Sequence, residues 1–209
     1  MTQKPPNLDD AYGIKTSDDN RRLYAGWAKS YDANFAAQMQ YTLPDVMAEA
    51  FVAAGGRAPV LDLGAGTGLL GQALSHRGVC PFDGTDISPE MLAVAETKHL
   101  YRRLFTGDLT ARLPVADNSY HGVISTGTFT TGHVGPEALD EVMRVARPGA
   151  VIGITVNARH WQSAGFAAKF AAIASKVTGF VLRDVAIYGA DAEGAHKDDI
   201  AKIALLRKL

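Results

Sequence analysis

Val60-Leu61-Asp62-Leu63-Gly64-Ala65-Gly66-Thr67-Gly68-Leu69-Leu70-Gly71 runs from apolar residues through a carboxylate and alternating glycines into a second apolar segment. It reads as a short buried strand, a turn lacking Cβ atoms, and the start of a helix. Such a turn lets backbone approach a ligand closely and leaves N–H groups aimed at it. Eighteen residues after Gly68, Asp86 closes a second apolar-then-acidic segment. Together these features describe a site for a nucleoside-type cofactor.

Two cofactor classes fit the glycines. Gly66-x-Gly68-x-x-Gly71 matches the dinucleotide fingerprint, with Asp86 near the position of a ribose-binding acid. Asp62 argues against a dinucleotide, because a carboxylate beside the glycine turn repels an approaching pyrophosphate. S-adenosylmethionine (SAM) carries no phosphate. Its methionine end suits this arrangement, with the carboxylate toward backbone N–H groups and the ammonium toward Asp62.

Several segments resemble the class I SAM-dependent methyltransferases. Asp62-Leu63-Gly64-Ala65-Gly66-Thr67-Gly68 is similar to that family's first motif, and Gly84-Thr85-Asp86-Ile87-Ser88-Pro89-Glu90-Met91-Leu92 to its second. Gly107-Asp108-Leu109 resembles the third, Tyr120–Thr126 the fourth strand, and Arg144–Ala150 the turn before the fifth. The segments around Trp27-Ala28, Tyr31-Asp32 and Gly127–Val134 are similar to the small methyltransferase-like proteins of the Williams–Beuren region group. The resemblance implies a Rossmann-like α/β sandwich. Its sheet has seven mainly parallel strands, ends in an antiparallel hairpin, and carries helices on both faces.

The remaining pattern agrees. Strands are expected near 59–63, 81–85, 102–105, 120–126 and 150–156, alternating with helices near 68–76, 89–98, 136–146 and 163–177. Runs at 180–188 and 199–207 predict the closing hairpin. Residues 1–18 are polar and proline-bearing and predict a flexible tail, followed by one domain over 19–209. Within it, 19–56 is expected as a helical lid, one helix spanning about 19–39 and another 44–54, and 57–209 as the Rossmann-like core. Ligands of open α/β sheets lie beyond the carboxyl ends of the strands, which gathers Asp62, Asp86, Asp108 and Thr126–Gly127 at one cleft.

Under this reading Asp86 accepts bonds from the ribose hydroxyls, Ile87 and Met91 cover adenine, and Asp108 and the Leu109 N–H meet its edge. Thr126 and Gly127 lie beneath the methionine chain. Trp27 and Tyr31, one helical turn apart, either close over the sulfonium or pack the helix onto the sheet. His133, in the Gly/Thr-rich loop after the fourth strand, is the candidate general base. His160 and Trp161 are weaker candidates for an acceptor pocket, and the basic run from Lys98 to Arg103 reads as a solvated helix end.

Composition bounds the function. The chain has 209 residues, 47% hydrophobic and 21% charged, and a formal net charge of −1. That balance offers no electrostatic case for nucleic acid or an anionic membrane. A single cysteine, Cys80, excludes an internal disulfide and points to a reducing, cytoplasmic setting. No metal-ligand spacing is evident. The expectation is therefore a SAM-dependent methyltransferase, yielding S-adenosylhomocysteine (SAH), that acts on an oxygen or nitrogen of a small-molecule acceptor. An NAD(P)-dependent oxidoreductase and a non-catalytic SAM-binding protein are the alternatives, and oligomeric state is not legible.

Overall fold

Seven strands form one sheet in the order β3-β2-β1-β4-β5-β7-β6 in a computed structural model that describes residues 6–209. The strands are β1 (Val60–Leu63), β2 (Phe82–Asp86), β3 (Arg103–Thr106), β4 (Tyr120–Phe129), β5 (Ala146–Asn157), β6 (Val177–Ala186) and β7 (Ile200–Lys208). The first five pair in parallel, whereas β7 runs antiparallel to both β5 and β6. Strand order reverses between β1 and β4, so the crevice for a ligand opens where those two strands end.

Helices explain why the inner strands carry so few polar residues. All four residues of β1 are buried, as a parallel strand covered on both faces requires. On one face α3 (Leu43–Ala53) and α4 (Leu69–His76) build a cluster around Met47, Phe51, Leu74 and Ile124. On the other, α6 (Leu139–Val145) and α8 (Phe166–Ile173) pack Leu139, Val142, Phe166 and Phe170 against β4 and β5. Between them in sequence lie α5 (Pro89–Glu96), begun by the Ser88 side chain accepting from the Met91 N–H, and α7 (Ala158–Ala164).

A third cluster covers the carboxyl edge of the sheet, and it departs from expectation. The segment 1–18 was expected as a loose tail. Residues 1–5 lie outside the described residues, but from residue 6 onward the segment is ordered: α1 (Leu8–Tyr12) carries a capping box at Asn7 and Asp10, and Ala11 and Ile14 are buried. The expected helix over 19–39 is also divided. It forms α2 (Ser17–Trp27) and then a π-helical turn over Tyr31–Ala36. The wider turn brings Tyr31 and Phe35 together, with ring centroids 4.8 Å apart, and both reach Trp27 at 5.2 and 5.3 Å. Aromatic packing thus overrides a regular helical period.

The connection between β6 and β7 is structural rather than a plain hairpin loop. Ile187 and Tyr188 are buried against Phe35 and Ala201 in the same cluster. No helix among the described residues is long and apolar enough to cross a membrane.

Candidate functional site

The turn after β1 is built around glycines for two different reasons. Gly64 has φ +71°, and a Cβ there would collide with the Thr128 hydroxyl. Gly66 has φ +54° and faces open space, where a side chain would fill the crevice instead. The N–H groups of this turn are less free than the sequence reading expects. Gly64 and Ala65 both donate to the Thr85 carbonyl (2.8 and 2.9 Å), and Gly68 donates to Ala65 (2.8 Å). Gly66 donates to Asp86 Oδ2 (2.8 Å). The donors without a partner among the described residues are those of Thr67 in the turn and of Leu69 and Leu70 in the first turn of α4, where no side chain caps the helix.

Asp62 is fully buried and stands behind the cavity wall rather than on it. Its Oδ2 accepts from the Tyr101 hydroxyl (2.7 Å), while Oδ1 has no partner among the described residues. Tyr101 sits in a hollow that glycines leave open: a Cβ on Gly71 would come within 2.5 Å of its hydroxyl, and one on Gly84 within 2.7 Å of its ring. The Gly71 N–H in turn points to the Tyr101 oxygen. Burial pushes the Asp62 carboxyl up to about 7, opposed by the Tyr101 bond and reinforced by the negative field of Asp86. Sequence reading placed this carboxylate against a ligand ammonium. The strand instead turns it toward Tyr101, in the run read as a solvated helix end.

A cavity of about 110 Å³ opens at the switch point. Of the residues expected to hold a cofactor, Gly64, Ala65, Gly66, Thr67, Asp86, Ile87, Met91, Gly107, Asp108, Leu109, Thr126, Gly127 and Tyr31 line it. Asp62, Leu63, Gly68 and Trp27 do not. Leu63 is core, and Gly68, at φ +90°, begins α4 against Tyr101 and Ala95. Trp27 is 3% exposed and packs against the other aromatics.

Both oxygens of Asp86 are engaged, Oδ1 by the Ser88 N–H (2.9 Å) and Oδ2 by Gly66. Burial raises this carboxyl, and the N–H bonds from Ser88, Gly66 and Ile87 restrain the rise. Asp108 closes an Asx turn, its Oδ1 accepting from the Thr110 N–H and hydroxyl (2.8 and 2.7 Å). A bulge in β4 between Ser125 and Phe129, with Gly127 at φ +77°, turns Thr126, Gly127 and Thr128 together toward the cavity. The strand was expected to end at residue 126, and it continues past this bulge.

Thr67, Asp32 and Lys98 tie the covering segment to the turn. The Thr67 hydroxyl donates to Asp32 Oδ1 (2.5 Å), and Lys98 Nζ donates to Asp32 Oδ2 (2.7 Å) and to Gln72 (2.9 Å).

His133 sits at the far end of the cavity, with Nδ1 3.0 Å from the Thr131 carbonyl and Nε2 3.0 Å from the Tyr24 hydroxyl. A carbonyl can only accept, so Nδ1 carries the proton and Nε2 accepts from Tyr24. Burial lowers the imidazole to about 4, and His160 adds to the lowering. Burial raises the Tyr24 phenol well above its ordinary value. At neutral pH the pair is therefore a neutral imidazole and a neutral phenol. Sequence reading gave Tyr24 no role, and missed Tyr41, whose hydroxyl lies under Gly127. Their partners are more than 80 residues away in sequence, so no local motif marks them.

His160 binds the Val134 carbonyl (3.0 Å), and Trp161 stacks on Phe166 and Phe170, so both belong to the helix layer rather than to a cavity. Cys80 is exposed, ahead of β2. No cluster of metal-ligating side chains occurs among the described residues.

Residues 60–149 match the family model of a methyltransferase domain. Human methyltransferase-like protein 27 is 31% identical over 152 residues, which cover 70% of this chain and 61% of that one. The malonyl-(acyl-carrier protein) O-methyltransferase of Pectobacterium atrosepticum is 35% identical over 99 residues, 47% of this chain and 38% of that one. The chain thus spans less than two thirds of the length of these relatives. The structure of a SAM-dependent methyltransferase from Thermotoga maritima superposes with a TM-score of 0.62 over 90% of this chain and 99% of that one, at 16% identity, a likeness of fold.

Proposed function

We propose, from the premise that this chain belongs to the class I SAM-dependent methyltransferases, that it methylates an oxygen or nitrogen of a small-molecule acceptor. The observation that carries this reading is the Tyr24–His133 pair, held neutral where the cofactor cavity ends.

The cavity fits SAM on its own terms. Gly66 leaves room for a ligand where a Cβ would intrude, and the first turn of α4 presents unpartnered N–H groups to a carboxylate. Asp86, with three N–H donors on about four lone-pair sites, keeps room for a ribose hydroxyl. Ile87 and Met91 cover the adenine face, with Asp108 and Leu109 at its edge. When bound, SAM supplies an electrophilic methyl group on a positively charged sulfur.

The chain's own residues then manage the acceptor and its proton. An acceptor hydroxyl donates to the Tyr24 oxygen, and Tyr24 passes its proton to His133 Nε2. The imidazolium so formed is disfavoured by burial and returns its proton to solvent when products leave. The N-terminal segment, tethered through Asp32 to Thr67 and Lys98, serves as a lid that keeps water from the reacting groups. The single exposed Cys80 supports a reducing, cytoplasmic setting.

The test is turnover with methyl-labelled SAM across panels of phenols, alcohols and amines, together with calorimetry against SAH and NADH. Label transfer to a small compound is the expected result. NADH binding without any response to SAH overturns the reading, and SAH binding without turnover on any panel marks a non-catalytic protein.

A further inference from the structure

A second cavity adjoins the first through a wall made of Tyr24, Tyr31, Tyr41, Gly127 and His133. It is smaller, about 50 Å³, and is enclosed by α1, α2, the π-helical turn, the end of β4 and the β6–β7 connection. Its lining includes the rings of Trp27, Phe35, Phe129 and Tyr188, and among the described residues contains no Asp, Glu, Lys or Arg. Its polar groups include Tyr24 and His133 at the shared wall and Tyr12, Thr155 and Asn157 among the remaining lining residues.

We infer that this second cavity is the acceptor site, and that its ligand is an uncharged compound with one aromatic ring bearing a hydroxyl. The inference rests on the methyltransferase reading and names its substrate class.

Size limits the ligand to a single ring, since this partly enclosed cavity has less than half the volume of the one proposed to take the whole cofactor, about 50 against 110 Å³. The flat aromatic walls favour a planar ring over a branched aliphatic one. An anion would lose its hydration without meeting any cationic side chain. A cation would find aromatic faces, but no carboxylate lines the cavity, and the wall toward the first cavity holds only phenols, a glycine and a neutral imidazole. A second positive charge would then face the sulfonium with no anion between them. The phenols are no substitute for an anion, because burial raises Tyr12 to about 12 and keeps Tyr24, Tyr31, Tyr41 and Tyr188 protonated.

A hydroxyl is the matching group at the shared wall. Tyr24 donates its hydroxyl hydrogen bond to His133 Nε2, so its oxygen lone pairs are left to accept, and a neutral phenol is a strong donor to them. Elsewhere in the lining, the Tyr12 hydroxyl is fixed by Asp199 Oδ2 (3.0 Å), and Arg159 holds the other Asp199 oxygen (2.8 Å). His196 joins Asp199 to Asp9 of α1, at 3.2 and 2.9 Å. These bonds hold α1 down over the cavity while keeping its charges outside the lining.

The experiment compares three one-ring probes, 4-methylphenol, benzoate and benzylamine, by calorimetry and saturation-transfer NMR on the whole protein, with and without SAH. The expected result is 4-methylphenol binding at least tenfold tighter than either charged probe. Ala201 lines the second cavity and not the first, so Ala201→Phe should abolish 4-methylphenol binding and leave SAH affinity unchanged. Equal or tighter binding of benzoate or benzylamine to the unmodified protein overturns the inference, as does a folded Ala201→Phe variant that still binds 4-methylphenol. The outcomes separate from those of the methyltransferase reading: SAH binding without selectivity for the phenol sinks only the acceptor class, whereas failure to bind SAH sinks the enzyme assignment.

Discussion

The two cavities are built by opposite means. The first cavity is made mainly of strand ends and short turns, and the contacts of its carboxylates are local in sequence: Asp86 to Ser88 and Asp108 to Thr110 are two residues apart, and even Gly66 to Asp86 spans only twenty. The second cavity is made of side chains drawn from both ends of the chain, with Tyr24 to His133 separated by 109 residues and Tyr12 to Asp199 by 187. One is specified by backbone conformation and carboxylates, the other by aromatic surfaces and neutral hydroxyls. The difference teaches that a turn can be tuned one residue at a time, whereas an aromatic pocket changes as a group.

Substitutions should divide along the same line. The largest effect is expected at Gly64. A Cβ there meets the Thr128 hydroxyl at a left-handed backbone position, so Gly64→Ala should destabilise the fold by about 2–5 kcal/mol. Denaturant unfolding measures this, and a loss under about 1 kcal/mol would show a softer turn than the comparison requires.

Titration gives the next test, because the carboxyl behind the first cavity and the imidazole on the shared wall respond to pH with opposite sign. Asp62, raised to about 7 when folded and near 4 when unfolded, adds stability below pH 4 that is lost as pH rises toward 7. Asp62→Asn removes this dependence. Relative to wild type the variant should gain up to about 4 kcal/mol between pH 4 and pH 8. His133, lowered to about 4, works in reverse: its contribution is complete above its ordinary value and is lost as pH falls toward 4. A pH-independent difference between wild type and Asp62→Asn would remove the carboxyl from the cofactor half's energetics.

His133→Ala should leave SAH affinity intact and slow turnover by roughly 100-fold, the lower end of the range for a general base. Wild-type turnover should hold down to about pH 5, because the imidazole stays neutral until about 4. An acid limb near pH 6.5 would place the ring in a wetter setting. Asp86→Ala should weaken SAH binding by about 1.5–3 kcal/mol while leaving aromatic ligands of the second cavity unaffected. Calorimetry on both ligands would decide it, and coupled losses would merge the two sites into one.

Legibility in the sequence follows the same division. Strand periodicity, the Ser88 cap and the glycine turn placed the parallel sheet and most of the residues that line the first cavity, because each signal lies within a few residues of what it organises. The antiparallel β6 and β7 were readable for the same reason, although the part their connection plays in packing was not. The ordered α1, the break between Trp27 and Tyr31, and the roles of Tyr24, Tyr41 and Tyr101 escaped. Each depends on a partner brought near only by the finished fold. Asp62 shows the limit most clearly, since its position at a strand end was readable and the direction of its carboxyl was not.

The hollow around Tyr101 has an evolutionary consequence. Gly71 and Gly84 have no room for even a methyl group while that ring is present, and Asp62 has no other hydrogen-bond donor among the described residues. The four positions are therefore one heritable unit. A lineage that replaces the tyrosine with a smaller residue loses the constraint on both glycines at once, and must find another donor for the acid.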